Sequence, residues 1–345
     1  MTRPLVAAAL VAASFVSTSA QAPDAAQIRA SFLKMIDRPR VPLAPETQPR
    51  IDAGAYRSEA FSYATEAGER VPGVFFRAAE AKDRRPVVIF LHGTGSRKEE
   101  FLALMRTFAD RGFATAAIDA RHHGARIAAK YGSGNAQYFA AMLETYRTGK
   151  GRPYLYDTVW DVMRLVDYLQ TRADVDSKRI GVMGVSKGGT EAYLAAAVDP
   201  RITAAVPIIG VQGFRWALDN NQWQARVGTF SPPVEEAARD GGVQVDAAFV
   251  RRFYDRVAPG VYGDYDAGSM LALIAPRPVL VINGDSDART PLAGVREAVN
   301  VARRTYIRMK VDEKLGLYLQ PNAGHVFTPV AELVMADWFV KWMVP

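Results

Sequence analysis

The sequence predicts an α/β protein with a mostly parallel, doubly wound sheet. Two observations support this prediction: continuously apolar runs typical of strands buried on both faces, and helical patterns that alternate with them along the chain. At 345 residues the chain exceeds the usual size of one domain, yet a single α/β domain with insertions can accommodate it. We therefore expect one domain with a large core.

The elements follow a simple order. Two short alternating segments, residues 60–65 and 71–77, flank the turn Glu66-Ala-Gly-Glu-Arg70 and predict an antiparallel hairpin. The elements expected after it are a strand at 86–91, a helix at 98–111, a strand at 114–119, a helix at 157–170, a strand at 179–185, a helix at 188–198, strands at 202–209 and 278–283, and a final helix at 329–342. This order predicts a hairpin followed by parallel strands.

The N-terminus has the pattern of a secretory signal peptide. Arg3 precedes a short apolar run, which leads to small-residue cleavage sites at 18–20 or 20–22. A membrane anchor is less favoured, because the run is shorter than the roughly 20 residues that span a bilayer. We predict a signal peptide over residues 1–22, a lead-in over 23–57 and a domain over 58–345, exported to a bacterial periplasm or secreted.

Composition excludes some functions. The chain has no cysteine, so thiol nucleophiles, thiolate metal sites and disulfides are excluded. The formal net charge is +7, but the basic residues are scattered among acidic ones, which argues against nucleic-acid binding and leaves a mild attraction to acidic polymers open. No later segment predicts a transmembrane helix, so we expect no stable membrane insertion.

One segment carries a candidate nucleophile. The apolar run 180–185 leads into Gly184-Val-Ser-Lys-Gly188, and a helix rich in small residues follows. A serine at such a strand-to-helix turn adopts a strained backbone that exposes its hydroxyl, and small neighbours let strand and helix approach. The pattern alone also occurs in ordinary turns, but the flanking strand and helix favour a nucleophile elbow with Ser186 at its tip.

A serine hydroxyl needs a base, and that base needs a carboxylate to hold it. Among the four histidines, His325 is the best candidate, because His92 lies in a loop of oxyanion type and the other two follow the strand that ends at Asp119. The strand 279–283 runs into a loop with two carboxylates, Asp285 and Asp287. Either could orient the histidine.

From about residue 58 onward the chain resembles the α/β-hydrolase superfamily, in the branch with dienelactone hydrolase-like, acetyl xylan esterase-like and prolyl-oligopeptidase-like proteins. The order serine, acid, histidine matches that fold. Gly284-x-x-Asp287-x-x-x-Pro291 resembles the family's acid loop, so the resemblance implies a triad of Ser186, Asp287 and His325, with Asp285 as a turn-forming carboxylate.

Two further loops carry the resemblance. His92-Gly-Thr-Gly-Ser96 resembles the oxyanion loop, which implies that the backbone N–H groups of Thr94 and Lys187 form the oxyanion hole and that His92 is structural. Asp119-Ala-Arg-His-His-Gly124 resembles a loop at the pocket edge, and we expect His123 to bind substrate there. A metal site at this loop is disfavoured, because adjacent histidines rarely point at one ion.

Two insertions, at about 125–156 and 211–275, follow the carboxyl ends of strands and are rich in tyrosine, tryptophan and phenylalanine. Ligand sites lie at this edge of open α/β sheets, so we expect a helical lid and pocket walls, with Trp216 binding substrate. The alternative is that these aromatic residues pack against the body. Lys187 stands where relatives commonly carry an apolar, glutamine or methionine side chain; either its amine reaches water, or its charge favours substrates with a carboxylate or a sugar acid.

These observations predict an exported serine hydrolase that cleaves small-molecule or polymer-borne carboxylic esters without a cofactor. A serine peptidase of the prolyl-oligopeptidase type is the main alternative, although the lead-in is too short for the propeller domain that such enzymes usually carry. A non-catalytic binding protein is less favoured, because all three members of the predicted triad are present. The fold hosts many activities, so the natural substrate is not predicted.

Overall fold

A computed structural model describes residues 24–49, 54–152 and 154–344. Within these ranges the strands are β1 (Glu46–Pro49), β2 (Tyr56–Glu66), β3 (Glu69–Ala78), β4 (Arg85–Leu91), β5 (Ala114–Ile118), β6 (Val175–Val185), β7 (Ile202–Ile208), β8 (Val279–Gly284) and β9 (Leu315–Gln320). The helices are α1 (Ala25–Ile36), α2 (Leu102–Asp110), α3 (Gly134–Thr148), α4 (Tyr156–Thr171), α5 (Lys187–Val198), α6 (Phe214–Asp219), α7 (Gln224–Val227), α8 (Ser231–Asp240), α9 (Ala247–Val257), α10 (Ala267–Ile274), α11 (Leu292–Arg308) and α12 (Pro329–Met343).

The strands form one mixed sheet in the order β1-β2-β3-β5-β4-β6-β7-β8-β9. The first three pairings, β1 with β2, β2 with β3 and β3 with β5, are antiparallel, and every pairing from β5 to β9 is parallel. The predicted hairpin is therefore β2 and β3, and it forms the antiparallel side of a mostly parallel sheet. The predicted fold class is confirmed.

The core has two layers, one on each face of the sheet. Along β4, Val87, Ile89 and Leu91 belong to one buried cluster, whereas Val88 and Phe90 belong to the other. Successive side chains of a strand point to opposite faces, so a strand covered on both faces must be apolar at every position. This explains the continuous apolar runs in the sequence.

The elements β1, α11 and β9 were not among the predicted ones. The strand β1 has only four residues, ends in a proline and lies at an edge of the sheet, which leaves little pattern to detect. In β9, Gly316 weakens the strand pattern, but a Cβ there would lie 2.8 Å from the side chain of Leu280 and 3.4 Å from that of Trp338. A side chain at this position would therefore collide with the packing of α12 on the sheet.

The predicted lead-in contains α1 and β1, and both pack on the body. Phe32 of α1 is fully buried and lies edge-on to Tyr156 and Tyr265, with ring centroids 5.0 and 4.9 Å away. Arg29 donates hydrogen bonds to the carbonyl oxygens of Ala197 and Leu273. The predicted signal peptide, residues 1–22, lies outside the described residues. None of the helices in the described ranges is long and apolar enough to cross a membrane.

The two predicted insertions form helices that pack on each other. The first carries α3, the second carries α6 to α10, and α3 contacts α8 and α9. The rings of Tyr146 and Phe253 stack 5.1 Å apart, and those of Tyr154 and Phe230 are 4.9 Å apart. Most aromatic residues of the insertions are thus part of the core that holds the insertions together.

Candidate active site

Ser186 lies at the sharp turn between β6 and α5. Its backbone angles, φ 55° and ψ −112°, are strained for a residue with a side chain. A Cβ on Gly184 would lie 2.1 Å from the carbonyl oxygen of Gly188, and one on Gly188 would lie 2.1 Å from that of Leu91. Both positions require glycine, because strand, turn and helix nearly touch there. The turn has the geometry of a nucleophile elbow.

The structure brings together the three residues of the predicted triad. His325 Nε2 lies 2.8 Å from Ser186 Oγ, and His325 Nδ1 lies 2.8 Å from Asp287 Oδ2. The three side chains come from the loops after β6, β8 and β9, which end at the same edge of the sheet. Ser186 is buried, with 8% of its surface exposed.

Asp287 is held in place by its own loop. Its Oδ1 accepts the backbone N–H groups of Arg289 and Thr290 at 2.8 and 3.1 Å, and its Oδ2 lies 2.5 Å from the Thr290 hydroxyl. Burial raises the pKa of Asp287, but the hydrogen bonds with His325 and Thr290 outweigh it and hold that pKa below the usual range. The carboxylate form is therefore favoured opposite the histidine.

Two supporting residues were not predicted. Asn283, at the end of β8, lies 2.8 Å from the Thr290 hydroxyl through its Oδ1 and donates to the Thr290 carbonyl oxygen from its Nδ2. Gln320, at the end of β9, donates to the carbonyl oxygen of Val326 and accepts the N–H of Thr328. The sequence signal for each was an amide residue shortly before a predicted triad residue, whereas the burial of its side chain is visible only in the structure.

Asp285, the other carboxylate of the acid loop, points to the histidine loop but not to the histidine ring. It accepts the backbone N–H groups of Asn322 and Ala323 at 2.9 and 3.1 Å, and the bond from Asn322 is the main reason why its pKa is lowered. The carbonyl oxygen of Ala323 would lie 2.2 Å from a Cβ on Gly284. Asp285 therefore ties the acid loop to the loop of His325.

The predicted oxyanion loop lies beside Ser186. A Cβ on Gly93 would lie 3.7 Å from the Cβ of Ser186, so the next residue, Thr94, begins close to the nucleophile. Lys187 is the first residue of α5, and the N–H at that position has no carbonyl partner within its own helix. Both predicted oxyanion donors are thus near the serine, and their role stays a prediction.

His92 fixes the oxyanion loop from the inside. Its Nδ1 donates to the Gly93 carbonyl oxygen at 2.8 Å, and its Nε2 accepts the N–H of Ala120 at 3.1 Å. These two bonds select one neutral tautomer. Burial, and then the charge of Lys187, lower the pKa of His92 to about 3. The side chain is committed to holding two loops together, which agrees with a structural role.

Asp119 braces the same loops. Its carboxylate accepts the Lys98 ammonium at 2.6 Å, the Lys98 N–H at 2.9 Å and the Ala125 N–H at 2.8 Å. A Cβ on Gly124, which has φ +55°, would lie 2.2 Å from this carboxylate, so only glycine fits there. Among the residues that the structure describes, no group of His, Asp and Glu side chains is arranged to hold a metal ion.

The two predicted substrate-binding residues lie in different places. His123 is fully buried between the rings of His92 and Tyr138, at 5.2 and 5.0 Å, and its Nε2 has no hydrogen-bond partner in the described part of the chain. Trp216 instead packs on α11, where a Cβ on Gly294 would lie 2.9 Å from its ring. The cleft that Trp216 lines contains no triad residue. Substrate binding by either residue stays a prediction.

The Lys187 side chain is placed differently from both expectations. Its amine does not reach water: it lies 2.6 Å from Glu191 Oε1, and the two side chains are 3% and 1% exposed. Glu191 follows one helical turn later, which is the spacing at which side chains on a helix meet. Because the pair is neutral overall, Lys187 does not present an unpaired charge to a substrate.

Comparisons with known proteins agree with this geometry. A family model described as acetyl xylan esterase (AXE1) matches residues 40–215, and one described as BAAT / acyl-CoA thioester hydrolase C terminal matches residues 164–331. The chain is 26% identical over 288 residues to "Putative hydrolase YtaP" of Bacillus subtilis (strain 168), covering 80% of this chain and 84% of that protein.

Two proteins named as methylesterases are also similar to the chain. A 4-O-methyl-glucuronoyl methylesterase of Neurospora crassa is 27% identical over 212 residues, which are 56% of this chain and 51% of that protein. The solved structure of Methylesterase BT1017 superposes with a TM-score of 0.66 at 21% identity, over 92% of this chain and 63% of that one. The chain thus spans about half and about two thirds, respectively, of these two proteins.

The AXE1 match covers half of the chain, including the Ser186 turn and the loop after β4, and the solved structure shows the same overall fold. The chain therefore belongs to the acetyl xylan esterase family, which places it among the carboxylic-ester hydrolases of the α/β-hydrolase fold.

Proposed function

We propose that the chain is an exported serine esterase in which Ser186 is the nucleophile, His325 the general base and Asp287 the residue that orients the base. The observation that supports it most directly is the pair of 2.8 Å contacts that joins His325 to Ser186 and to Asp287. Nucleophile, base and orienting carboxylate in hydrogen-bond contact are the arrangement that activates a serine.

The reaction begins when Ser186 Oγ attacks the ester carbonyl carbon and His325 Nε2 takes its proton. Asp287 holds the Nδ1 proton and stabilises the imidazolium that forms. As the tetrahedral intermediate collapses, the carbon–oxygen bond to the alcohol breaks, and His325 returns the proton to the leaving alkoxide. Water, deprotonated by the same nitrogen, then attacks the acyl-enzyme, and the acid leaves while Ser186 regains its proton.

The negative charge of the tetrahedral oxygen needs donors that are already in position. In our proposal these are the backbone N–H groups of Thr94 and Lys187, which flank Ser186 in the two adjacent loops. The hydrogen bonds of His92 and Asp119 keep the first of these loops in place, so little reorganisation is needed during the reaction. Such preorganised donors commonly contribute about 3 kcal/mol each to transition-state stabilisation.

The substrate we propose is a small or polymer-borne carboxylic ester, met outside the cytoplasm. The signal-peptide pattern supports export, and the names of the family and of the Neurospora crassa relative support esters of carbohydrates. The helical insertions after the strand ends support a lid over the site, because α3 and the α6 to α10 segment lie after β5 and β7, whose carboxyl ends flank the elbow region.

The test is hydrolysis of 4-nitrophenyl acetate by purified protein and by Ser186→Ala. We expect the variant to lose at least about 1,000-fold in kcat/KM, since removal of a triad nucleophile leaves only the contribution of binding and the oxyanion hole. Ser177→Ala is the matched control, because Ser177 lies near the amino-terminal end of the same strand, away from Ser186. A fluorophosphonate probe should label the wild type and this control, and not Ser186→Ala.

Two outcomes would refute the proposal. One is turnover by Ser186→Ala at the wild-type rate, which would move the nucleophile elsewhere. The other is a wild-type protein that the probe does not label and that cleaves no 4-nitrophenyl ester, since a serine held 2.8 Å from its base should react with both.

A further inference from the structure

Beside the elbow, several buried polar side chains lack hydrogen-bond partners. In the described part of the chain, the atoms concerned are Nε2 of His123, the hydroxyls of Tyr138 and Tyr193, Oε2 of Glu191, Oε1 of Gln212, and Nε and Nη2 of Arg226. None of these six residues, which we call the polar cluster, is more than 3% exposed. Buried polar atoms nearly always have a partner, so such a concentration indicates a place where a ligand supplies them.

The polar cluster begins at the nucleophile. Lys187 follows Ser186, pairs with Glu191, and its Nζ lies 5.9 Å from the ring centroid of Tyr138. The Tyr138 ring in turn lies 5.0 Å from that of His123. On the other side, a Cβ on Gly210 would lie 2.4 Å from the carbonyl oxygen of Ser186, and Gln212 follows two residues later. The cluster is therefore contiguous with the candidate active site.

Arg226, on α7 of the second insertion, precedes Phe230 by four residues, and the Phe230 ring centroid lies 4.9 Å from that of Tyr154. Burial is the main reason why the pKa of Tyr138 is raised well above its ordinary value, Glu191 adds to that shift, and the charge of Arg226 opposes it. Burial also raises the pKa values of Tyr154 and Tyr193, and the charge of Arg226 opposes both shifts. The guanidinium thus lies near these phenols, and Glu191 also lies near Tyr138 and Tyr154.

The charge of Arg226 is not balanced. Its Nε and Nη2 have no hydrogen-bond partner, and it forms no ion pair with any described residue. Lys187 and Glu191 neutralise each other, so the polar cluster together with Lys187 carries one net positive charge, that of Arg226. An unpaired buried charge destabilises a protein, and a guanidinium is suited to hold a carboxylate through two parallel hydrogen bonds.

We propose that the polar cluster binds a hydroxyl-rich part of the substrate that carries a free carboxylate, with Arg226 holding that carboxylate. This carboxylate is distinct from the ester group that Ser186 attacks. The tyrosine hydroxyls and the acceptors on His123, Glu191 and Gln212 match sugar hydroxyls, which both donate and accept. The inference rests on the proposed function for the position of the ester, and it assigns to Arg226 the anion preference that the sequence suggested for Lys187.

The test is binding of D-glucuronate and of D-glucose, which differ in one carboxylate, to Ser186→Ala protein by titration calorimetry. Because this protein lacks the nucleophile, binding is measured whether or not esters are hydrolysed. We expect glucuronate to bind about 30-fold or more tightly than glucose, and Arg226→Gln in the same background to abolish the difference. Arg252→Gln, an exposed arginine on α9, should keep it.

Two further measurements separate binding from a structural role. Without ligand, Arg226→Gln should melt at a higher temperature than its parent, because it removes an unpaired buried charge. Arg226→Lys keeps the charge but not the two parallel bonds, so it should retain part of the glucuronate preference, and it carries the test if Arg226→Gln does not fold. Equal affinity for the two sugars in the parent protein, or equal losses for both in Arg226→Gln, would overturn the proposal.

Discussion

The three histidines around the oxyanion loop should make the protein sensitive to mild acid. Burial is the largest cause of the lowered pKa of each: about 3 for His92, about 2 for His123 and about 4 for His122, with nearby lysine and arginine charges adding to the effect. In the unfolded chain the reference value is 6.5. Between pH 7 and pH 5 the unfolded chain therefore takes up protons that the folded protein does not, and the free energy of unfolding must fall.

The size of the effect follows from these pKa values. Over this interval each histidine lowers the free energy of unfolding by about 2 kcal/mol, so the three together lower it by about 6 kcal/mol. Asp266 acts in the opposite direction, because burial raises its pKa to about 6 and the folded protein gains a proton there. That contribution restores about 1 kcal/mol, and burial also raises the pKa values of Asp157, Glu191 and Glu332, which acts in the same direction. The net loss is therefore at most about 5 kcal/mol, still a large share of a typical domain stability.

The assay is urea unfolding at pH 7 and pH 5, followed by tryptophan fluorescence and circular dichroism. His122→Gln is the informative variant, because glutamine retains a partner for Gln137 and removes one titrating ring. Its stability should depend less on pH, by about 2 kcal/mol over the same interval. A wild-type loss below about 1 kcal/mol, or a His122→Gln protein with an unchanged pH dependence, would contradict the assignment of these rings as neutral in the folded protein.

Four further predictions concern the site itself. Asp287→Asn should lower kcat for 4-nitrophenyl acetate by about 10,000-fold, because the amide favours the wrong histidine tautomer, whereas Asp285→Asn should lower it far less, and equal losses would contradict the different contacts of the two carboxylates. Gly184→Ala should prevent folding or abolish probe labelling of the serine, since its Cβ would lie 2.1 Å from a carbonyl oxygen; a fully active variant would disprove that close packing. Lys187→Met should leave Glu191 buried and unpaired. It should therefore lower the melting temperature, and it should lower the free energy of unfolding by about 3 kcal/mol. The double variant Lys187→Met with Glu191→Leu should recover most of that loss, and a double variant as unstable as the single one would argue against the ion pair.

Much of the fold could be predicted, because the signals are local. The strand β4 is apolar at every position since it contributes to both layers of the core, and this pattern is visible in the sequence alone. Ser186 was predicted because a strained turn demands small residues at fixed positions around it. In contrast, β1 and β9 escaped prediction because edge strands are short or half-buried and carry a weaker pattern.

The parts of the site that could not be predicted depend on tertiary burial. Arg226 lies in the short polar segment Gln224–Val227, where an arginine would ordinarily face water, and only the packing of the insertions buries it. The pairing of Lys187 with Glu191 was readable from their spacing, but its burial was not. Asn283 and Gln320 are polar residues at strand ends, and their roles become visible only when the loops that they hold are in place.

The ties between the loops of Asp287 and His325 have an evolutionary consequence. Asp285 binds the histidine loop directly, and Gln320 holds its far side, so the two loops hold each other in place. Mutations can therefore accumulate in α8 and α9, which pack on α3 and on each other, without disturbing the alignment of acid and base. Related proteins that share this sheet can therefore differ in the ligands that they recognise and still keep the same arrangement of Ser186, Asp287 and His325.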